Sequence, residues 1–132
     1  MDAEAAARAW VDGWSRGWAA ADPDTIAALY AEDAVFVSHP FRPRHVGRAE
    51  VREYARWAFE SDETVDFAFG EPVATRDRAV VEYWAILRSD DQDQTLFGIA
   101  LLRFGDDGLV VSQRDYWSLE AGRREPPDGW GR

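Results

Sequence analysis

The residues best suited to chemistry lie near the end of the chain, in the run from Val110 to Leu119. If this run is a β-strand, its side chains alternate between two faces, and Gln113, Asp115 and Trp117 share one of them. The large apolar side chains of Trp117 and Leu119 mark that face as the buried one. A carboxylate among aromatic side chains loses hydration, so the pattern predicts that Asp115 is either paired or raised in pKa. Either state is usable in acid–base chemistry.

The composition excludes several other kinds of chemistry. The 132 residues include no cysteine, no lysine and no methionine after Met1, which removes thiolate nucleophiles, Schiff bases and thiolate metal sites. The net charge of -10 disfavours nucleic acid and anionic membranes, because no basic stripe can displace counterions from phosphates. The N-terminus has no apolar run of the signal-peptide type, and no segment has the length needed to span a bilayer. We therefore expect a cytoplasmic protein without nucleic-acid or membrane partners.

Helical and strand patterns indicate how the candidate residues are positioned. Apolar residues spaced three and four apart predict three helices, at about residues 3–20, 23–30 and 48–60. Runs rich in strand-forming residues predict a short strand at about 34–38 and four longer strands at about 64–75, 79–88, 95–104 and 109–119. This order indicates an α+β fold with the helices on one face of a curved antiparallel sheet. We expect one domain over residues 1–121 and an irregular C-terminal tail over residues 122–132.

Several short motifs occur in an order that is typical of one protein family. They are the run from Ala21 to Phe36, the pairs His39-Pro40 and Pro43-Arg44, Gly47 with its helix, Arg103-Phe104, and Arg114-Asp115-Tyr116-Trp117. Together they resemble the SnoaL-like branch of the nuclear-transport-factor-2-like superfamily. The resemblance implies a cystatin-like roll, a cone-shaped sheet wrapped around a deep apolar pocket and closed by the three helices. It also implies homodimers formed through the outer face of the sheet.

Ketosteroid isomerases are relatives within this superfamily, and their catalytic groups are not retained here. Trp14 takes the place of the oxyanion-binding tyrosine, and Ser38 or His39 takes the place of the aspartate base. Ala100 takes the place of the second oxyanion donor. An enolate would find neither a hydroxyl nor an acid at these positions, which argues against steroid isomerisation by that mechanism.

Limonene epoxide hydrolases show a closer resemblance at the C-terminal motif, where Asp115 matches a catalytic carboxylate. Their other two charged residues fall on Tyr83 and Ala85 here, so the triad that activates water is incomplete. SnoaL-like cyclases need fewer catalytic residues, because a single pocket carboxylate serves as general acid and base on an acidic carbon of the substrate. The resemblance therefore implies cofactor-independent proton transfer, if the protein is an enzyme.

A mostly aromatic lining is predicted for the pocket, which suits a flat, hydrophobic metabolite bearing a hydroxyl or keto group. Trp10 and Trp18 are instead predicted to pack in the core. The predicted lining residues are Trp14, Tyr30, His39, Tyr54, Trp57, Val81, Tyr83, Ala85, Gly98, Ala100, Gln113, Asp115 and Trp117.

Two interpretations of these residues stay open. In one, Asp115 exchanges a proton with the ligand and His39 is its acid–base partner, in isomerisation, cyclisation, dehydration or hydrolysis. In the other, Asp115 is a structural anchor bonded to Trp14, Tyr54 or His39. The pocket then only binds a ligand, or is a filled core, and the domain serves in association. No metal site is expected from His39, His45 and Asp115, because the two histidines are six positions apart in a loop, where no helix or strand geometry fixes them.

The fourth predicted strand suggests how the protein assembles. Alternation over residues 79–88 turns Val81, Tyr83 and Ala85 inward and leaves an apolar patch on the outer face. This patch consists of Val80, Glu82, Trp84 and Ile86. A monomer seldom tolerates such a patch, so we expect a two-fold homodimer that buries it.

Overall fold

Three helices form where the apolar spacing and the capping residues predict them. The structure is a computed structural model that describes residues 1–132. The helices are α1 (Ala3–Ala20), α2 (Pro23–Ala27) and α3 (Arg48–Ser61). The side chain of Asp2 accepts from the backbone N–H groups of Glu4 and Ala5, and Asp22 caps α2 in the same way. None of the helices is both long enough and apolar enough to cross a membrane.

Seven strands form one curved sheet. They are β1 (Tyr30–Val37), β2 (His45–Val46), β3 (Glu63–Phe69), β4 (Val73–Thr75), β5 (Arg78–Ser89), β6 (Gln92–Phe104) and β7 (Val110–Ala121). Their order across the sheet is β2-β1-β7-β6-β5-β3, and β4 also pairs with β5. The predicted α+β class is confirmed, but the sheet is mixed rather than purely antiparallel, because β1 and β7 run parallel.

The boundaries of several elements differ from the sequence patterns. Helix α2 ends at Ala27, three residues early, because the chain turns and begins β1 at Tyr30 rather than at Ala34. The predicted strand over residues 64–75 is divided into β3 and β4 at Gly70–Pro72, where proline has no N–H to donate to a ladder. The predicted loop before α3 contains the two residues of β2, which pair with β1.

The hydrophobic core lies between α1, α3 and the inner face of the sheet. The largest fully buried apolar side chains are Tyr30, Phe36, Ile26, Leu102, Val51, Val81 and Val110. Helix α1 contributes Ala3, Ala7 and Trp10 at helical spacing. Two glycines of α1 bring it close to its neighbours, since a Cβ on Gly13 or Gly17 would lie 2.6 Å from Leu29 or Ile26 respectively.

The C-terminal segment, residues 122–132, folds back over the outer face of the sheet. The indole N–H of Trp84 donates to the backbone oxygen of Arg124 at 2.9 Å, and Trp130 packs edge-on against Trp84. The backbone N–H of Gly131 donates to Glu82. The tail is irregular as predicted, and contacts of Arg124, Trp130 and Gly131 hold it against the sheet.

The predicted outer patch is therefore less exposed than its alternation indicates. Ile86 is only 6% exposed, and Val80, Glu82 and Trp84 are half-buried. The expectation that these side chains stand free on the surface is wrong, because contacts within the same chain cover part of this face.

Candidate functional site

An open cavity of about 190 Å³ lies between the helices and the inner face of the sheet. Most of its surface is aromatic or aliphatic, and five of the seven tryptophans contribute to it. These five are Trp10, Trp14, Trp18, Trp57 and Trp117. The polar side chains of Gln113 and Asp115 also line the cavity, so it combines an apolar wall with a few polar groups, as small-molecule sites do.

The register of the long strands positions Asp115. Residue 115 lies opposite Ala100 of β6, which in turn lies opposite Val81 of β5. Tyr83 is two residues further along β5 on the same face, so its long side chain reaches diagonally to the carboxylate. The hydroxyl of Tyr83 donates to Oδ2 of Asp115 at 3.3 Å. The small side chain of Ala100 leaves space beside the carboxylate.

Gln113 holds the other carboxylate oxygen. Its amide Nε2 donates to Oδ1 of Asp115 at 2.9 Å. The amide cannot turn over freely, because its Oε1 accepts from the indole N–H of Trp10 at 3.2 Å and from the hydroxyl of Tyr30. The same hydroxyl accepts from the indole N–H of Trp14 at 3.1 Å. The buried donors therefore fix the orientation of the Gln113 amide and, through it, one side of the carboxylate.

Burial dominates the electrostatics of the site. It raises the pKa of Asp115 from 3.8 to about 7, against the opposing effect of the hydrogen bonds from Gln113 and Tyr83. The predicted direction and cause of this shift are confirmed. No arginine or histidine offsets the loss of hydration. Burial and the nearby Asp115 charge also raise the pKa of the Tyr54 phenol to about 12, and they raise the pKa of the Tyr83 phenol more than that of Tyr54. Both phenols therefore stay protonated.

Most of the predicted pocket residues come together around this cavity. Trp14, Tyr54, Trp57, Tyr83, Gln113, Asp115 and Trp117 line it. Four predicted lining residues are buried beneath the lining and do not reach the cavity, namely Tyr30, Val81, Ala85 and Ala100. Gly98 lies between Tyr83 and Trp117 in the strand register, and a Cβ there would lie 2.6 Å from Cβ of Trp117. Its lack of a side chain makes room for β7 at Tyr116 and Trp117 rather than for a ligand.

His39 is not arranged as the acid–base partner of Asp115. Its Nδ1 accepts from the backbone N–H of Phe41 at 3.2 Å, and its ring packs edge-on against Trp117 at 4.7 Å between centroids. It makes no hydrogen bond to Asp115 and does not line the cavity. The structure therefore does not bring the predicted couple together, because the imidazole of His39 contacts Phe41 of its own loop and the ring of Trp117.

His45 belongs to an aromatic cluster instead of a polar site. Its ring lies 4.9 Å from that of Tyr54 and 6.1 Å from that of Phe36, between centroids. Burial lowers the pKa of His45, which favours the neutral imidazole. The two histidines and Asp115 thus make separate contacts.

Sequence reasoning missed several residues of the site. Trp10 packs in the core as predicted and also contributes to the cavity wall. Trp18 was predicted to pack in the core but lines the cavity, where its indole N–H donates to the hydroxyl of Thr64 at 2.7 Å. Phe69 and Leu96 add apolar surface and are inward positions of their strands, so alternation was a usable signal. Arg42 also lines the cavity, although it lies in a loop with no periodic pattern.

The fold of this chain is shared by solved structures of other proteins. The fold is similar to that of SalBIII, an epoxide hydrolase/cyclase-like enzyme of pyran ring formation in the polyether salinomycin, at a TM-score of 0.78 and 18% identity, over 92% of this chain and 98% of that one. A similar fold occurs in a hypothetical protein with a ketosteroid isomerase-like fold from Catenulispora acidiphila, in complex with trimethylamine. The TM-score is 0.73 and the identity 20%, over 82% of this chain and 84% of that one. RV0760c from Mycobacterium tuberculosis gives a TM-score of 0.74 and 17% identity, over 91% of this chain and 96% of that one.

The family is shown by the sequence and not by these structural similarities. No curated protein matches the chain. The model of the SnoaL-like domain matches residues 7–113, from the first helix to the strand that carries Gln113 and Asp115. The match covers most of the chain and ends two residues before Asp115. The chain belongs to the SnoaL-like family.

Proposed function

We propose that the cavity binds a small hydrophobic metabolite and that Asp115 exchanges a proton with it. The observation that carries this proposal is a carboxylate with a pKa of about 7 on the wall of an aromatic cavity. At neutral pH such a group exists in both protonation states, so it can accept a proton in one step and return it in the next. General acid–base catalysis is most efficient when the pKa lies near the working pH.

The surrounding residues suit a proton transfer within one bound molecule. Gln113 and Tyr83 donate to the two carboxylate oxygens, and aromatic side chains form most of the surrounding wall. Isomerisation, cyclisation, dehydration and hydrolysis all use such a step. The likeness to an epoxide hydrolase/cyclase-like enzyme of pyran ring formation supports cyclisation or epoxide opening among them. No cofactor is needed for any of these reactions.

The alternative is that the cavity binds a ligand without converting it. A panel of small bicyclic ketones, lactones and epoxides distinguishes the two, with binding measured by native mass spectrometry and turnover by chromatography. We expect turnover by the wild type that is lost in Asp115→Asn. The matched control is Asp33→Asn, which removes an exposed carboxylate of β1 that does not line the cavity and should retain activity.

Three results decide the outcome of this experiment. Turnover that survives in Asp115→Asn contradicts the assignment of the proton transfer to this residue. Tight binding of a panel member without turnover favours the binding module. Turnover by the wild type that follows an apparent pKa near 7 supports the proposal.

We also propose that two copies associate through the outer face of the sheet. The support is the half-buried row of Phe97, Ile99 and Leu101 on β6, which continues the partly covered patch of Val80, Glu82, Trp84 and Ile86 on β5. Tyr116 of β7 extends the same row and is 44% exposed. Apolar area of this kind on a sheet is typical of an interface.

A further inference from the structure

Arg42 is held at the rim of the cavity by two tryptophans. Its guanidinium carbon lies 5.0 Å from the ring centroid of Trp117 and 5.7 Å from that of Trp57. Both distances are within the range of cation–π attraction. Trp117 also donates its indole N–H to the backbone oxygen of Ser38 at 2.6 Å, so one of the two rings is fixed in place. Arg42 is exposed to solvent, and these contacts position its guanidinium at the rim.

The positive charge of Arg42 has no carboxylate partner in the protein. Every ion pair of the structure lies elsewhere, and none of them includes Arg42 or Asp62, the carboxylate on the same rim. Arg42 is the one arginine among the cavity-lining residues of a chain with a net charge of -10. Cation–π contacts leave the N–H donors at the edge of the guanidinium available, and these donors match a carboxylate in a forked arrangement.

The charge of Arg42 acts on one titratable group of the cavity, Tyr54, but not on Asp115. It favours the ionised form of the Tyr54 phenol, which lines the same cavity, but it is not among the groups that shift the pKa of Asp115. The site thus has two separated polar points, one at the rim and one on the wall, joined by aromatic surface.

We propose, on the basis of the function proposed above, that the ligand is a hydrophobic acid whose carboxylate pairs with Arg42 while its apolar body lies against the tryptophans. Arg42 is then a specificity-determining residue and not a catalytic one. An uncharged ligand of the same shape would lose this pairing but would keep its contacts with the aromatic walls.

Two isosteric probes test this inference. The first is 2-naphthoate and the second is 2-naphthamide, which has the same shape and no charge; binding is measured by isothermal titration calorimetry. We expect the wild type to prefer 2-naphthoate by about tenfold, which corresponds to one charge-assisted pairing. Arg42→Gln should abolish that preference and leave 2-naphthamide affinity unchanged. Arg44→Gln is the matched control, since it removes an exposed arginine of the same loop that does not line the cavity.

Each result decides for or against the inference. Equal binding of both probes by the wild type overturns it, and so does an Arg42→Gln variant that weakens both probes equally, because Arg42 would then only cover apolar surface. A preference lost equally in Arg44→Gln shows a diffuse charge effect and also overturns it. Failure of both probes to bind overturns it together with the binding step of the proposed function. Turnover lost in Asp115→Asn with no acid preference leaves the proposed function standing and removes only this inference.

Discussion

The amide of Gln113 and the carboxylate of Asp115 form a hydrogen bond of 2.9 Å in which the direction of donation is fixed. Gln113 is 1% exposed, and its oxygen is taken by the buried donors of Trp10 and Tyr30. The nitrogen must therefore face Asp115, and Oδ1 must be an acceptor. When Asp115 is protonated, its proton is accordingly on Oδ2, the oxygen next to the hydroxyl of Tyr83.

Replacing Gln113 by leucine should destabilise the fold by about 2 to 3 kcal/mol, the cost of buried polar groups left without a partner. The change keeps the approximate volume but leaves the hydroxyl of Tyr30 without its acceptor and weakens the bonding of Trp10, and buried polar groups without partners are costly. Urea unfolding followed by circular dichroism measures the change. Gln94→Leu, at an exposed position of β6, is the control and should shift stability by no more than about 0.5 kcal/mol. Equal effects of the two variants would contradict the network.

The pH dependence of stability should report Asp115 directly. A pKa raised from 3.8 to about 7 means that the folded protein binds more protons than the unfolded chain across this window. This group therefore makes stability fall as pH rises from about 4 to about 7, with a slope of up to about 1.4 kcal/mol per pH unit. Asp115→Asn removes the slope, so the variant should gain stability relative to the wild type as pH rises. Parallel curves for the two proteins would show that Asp115 is hydrated.

Tyr83→Phe should raise the pKa of Asp115 still further. The lost hydroxyl donates to the carboxylate, and that hydrogen bond lowers its pKa. An increase of roughly one pH unit is expected, which corresponds to one hydrogen bond to a charged group. Carboxyl-carbon NMR titration measures it. Tyr116→Phe changes an exposed phenol on the outer face of β7 and should leave the titration unmoved. A lower pKa in Tyr83→Phe would mean that the phenol does not act as a donor.

Gly98→Ala should destabilise by about 1 to 3 kcal/mol and displace Trp117, because the strand register leaves no room for a side chain at this position. A Cβ there would lie 2.5 Å from the backbone oxygen of Tyr116 and 2.6 Å from Cβ of Trp117. Thermal unfolding and near-ultraviolet circular dichroism measure the two effects. Gly105→Ala is a milder comparison, since its Cβ would first meet the side chain of Val111 at 3.2 Å. Unchanged unfolding of Gly98→Ala would contradict the register of β6 and β7.

The dimer through the outer face is tested by sedimentation at micromolar concentration. We expect a mass near twice the 14.9 kDa of the chain. Ile99→Glu should convert the protein to a monomer, because it introduces a charge into the apolar row of β6. Glu120→Gln is the control at an exposed position of β7. A clean wild-type monomer would remove this proposal.

Alternation along β7 was enough to predict that Gln113, Asp115 and Trp117 share an inner face, since strand geometry leaves only two choices. The partners of Asp115 were not predictable in the same way. They depend on how β5 and β7 are registered across β6, which involves residues 32 positions apart. Arg42 escaped prediction because its position is set by a loop and by two distant tryptophans. The partial burial of Trp84 was not predictable either, because the C-terminal tail that covers it has no periodic sequence pattern.

The distribution of the tryptophans has a consequence for spectroscopy. The five indoles on the cavity wall should change their fluorescence when a ligand enters, whereas Trp84 and Trp130, which contact each other on the opposite face of the sheet, should not. Intrinsic emission therefore contains a responsive and an unresponsive population in one protein. Substituting phenylalanine at positions 84 and 130 would leave the cavity signal alone, so ligand titrations would need no external dye.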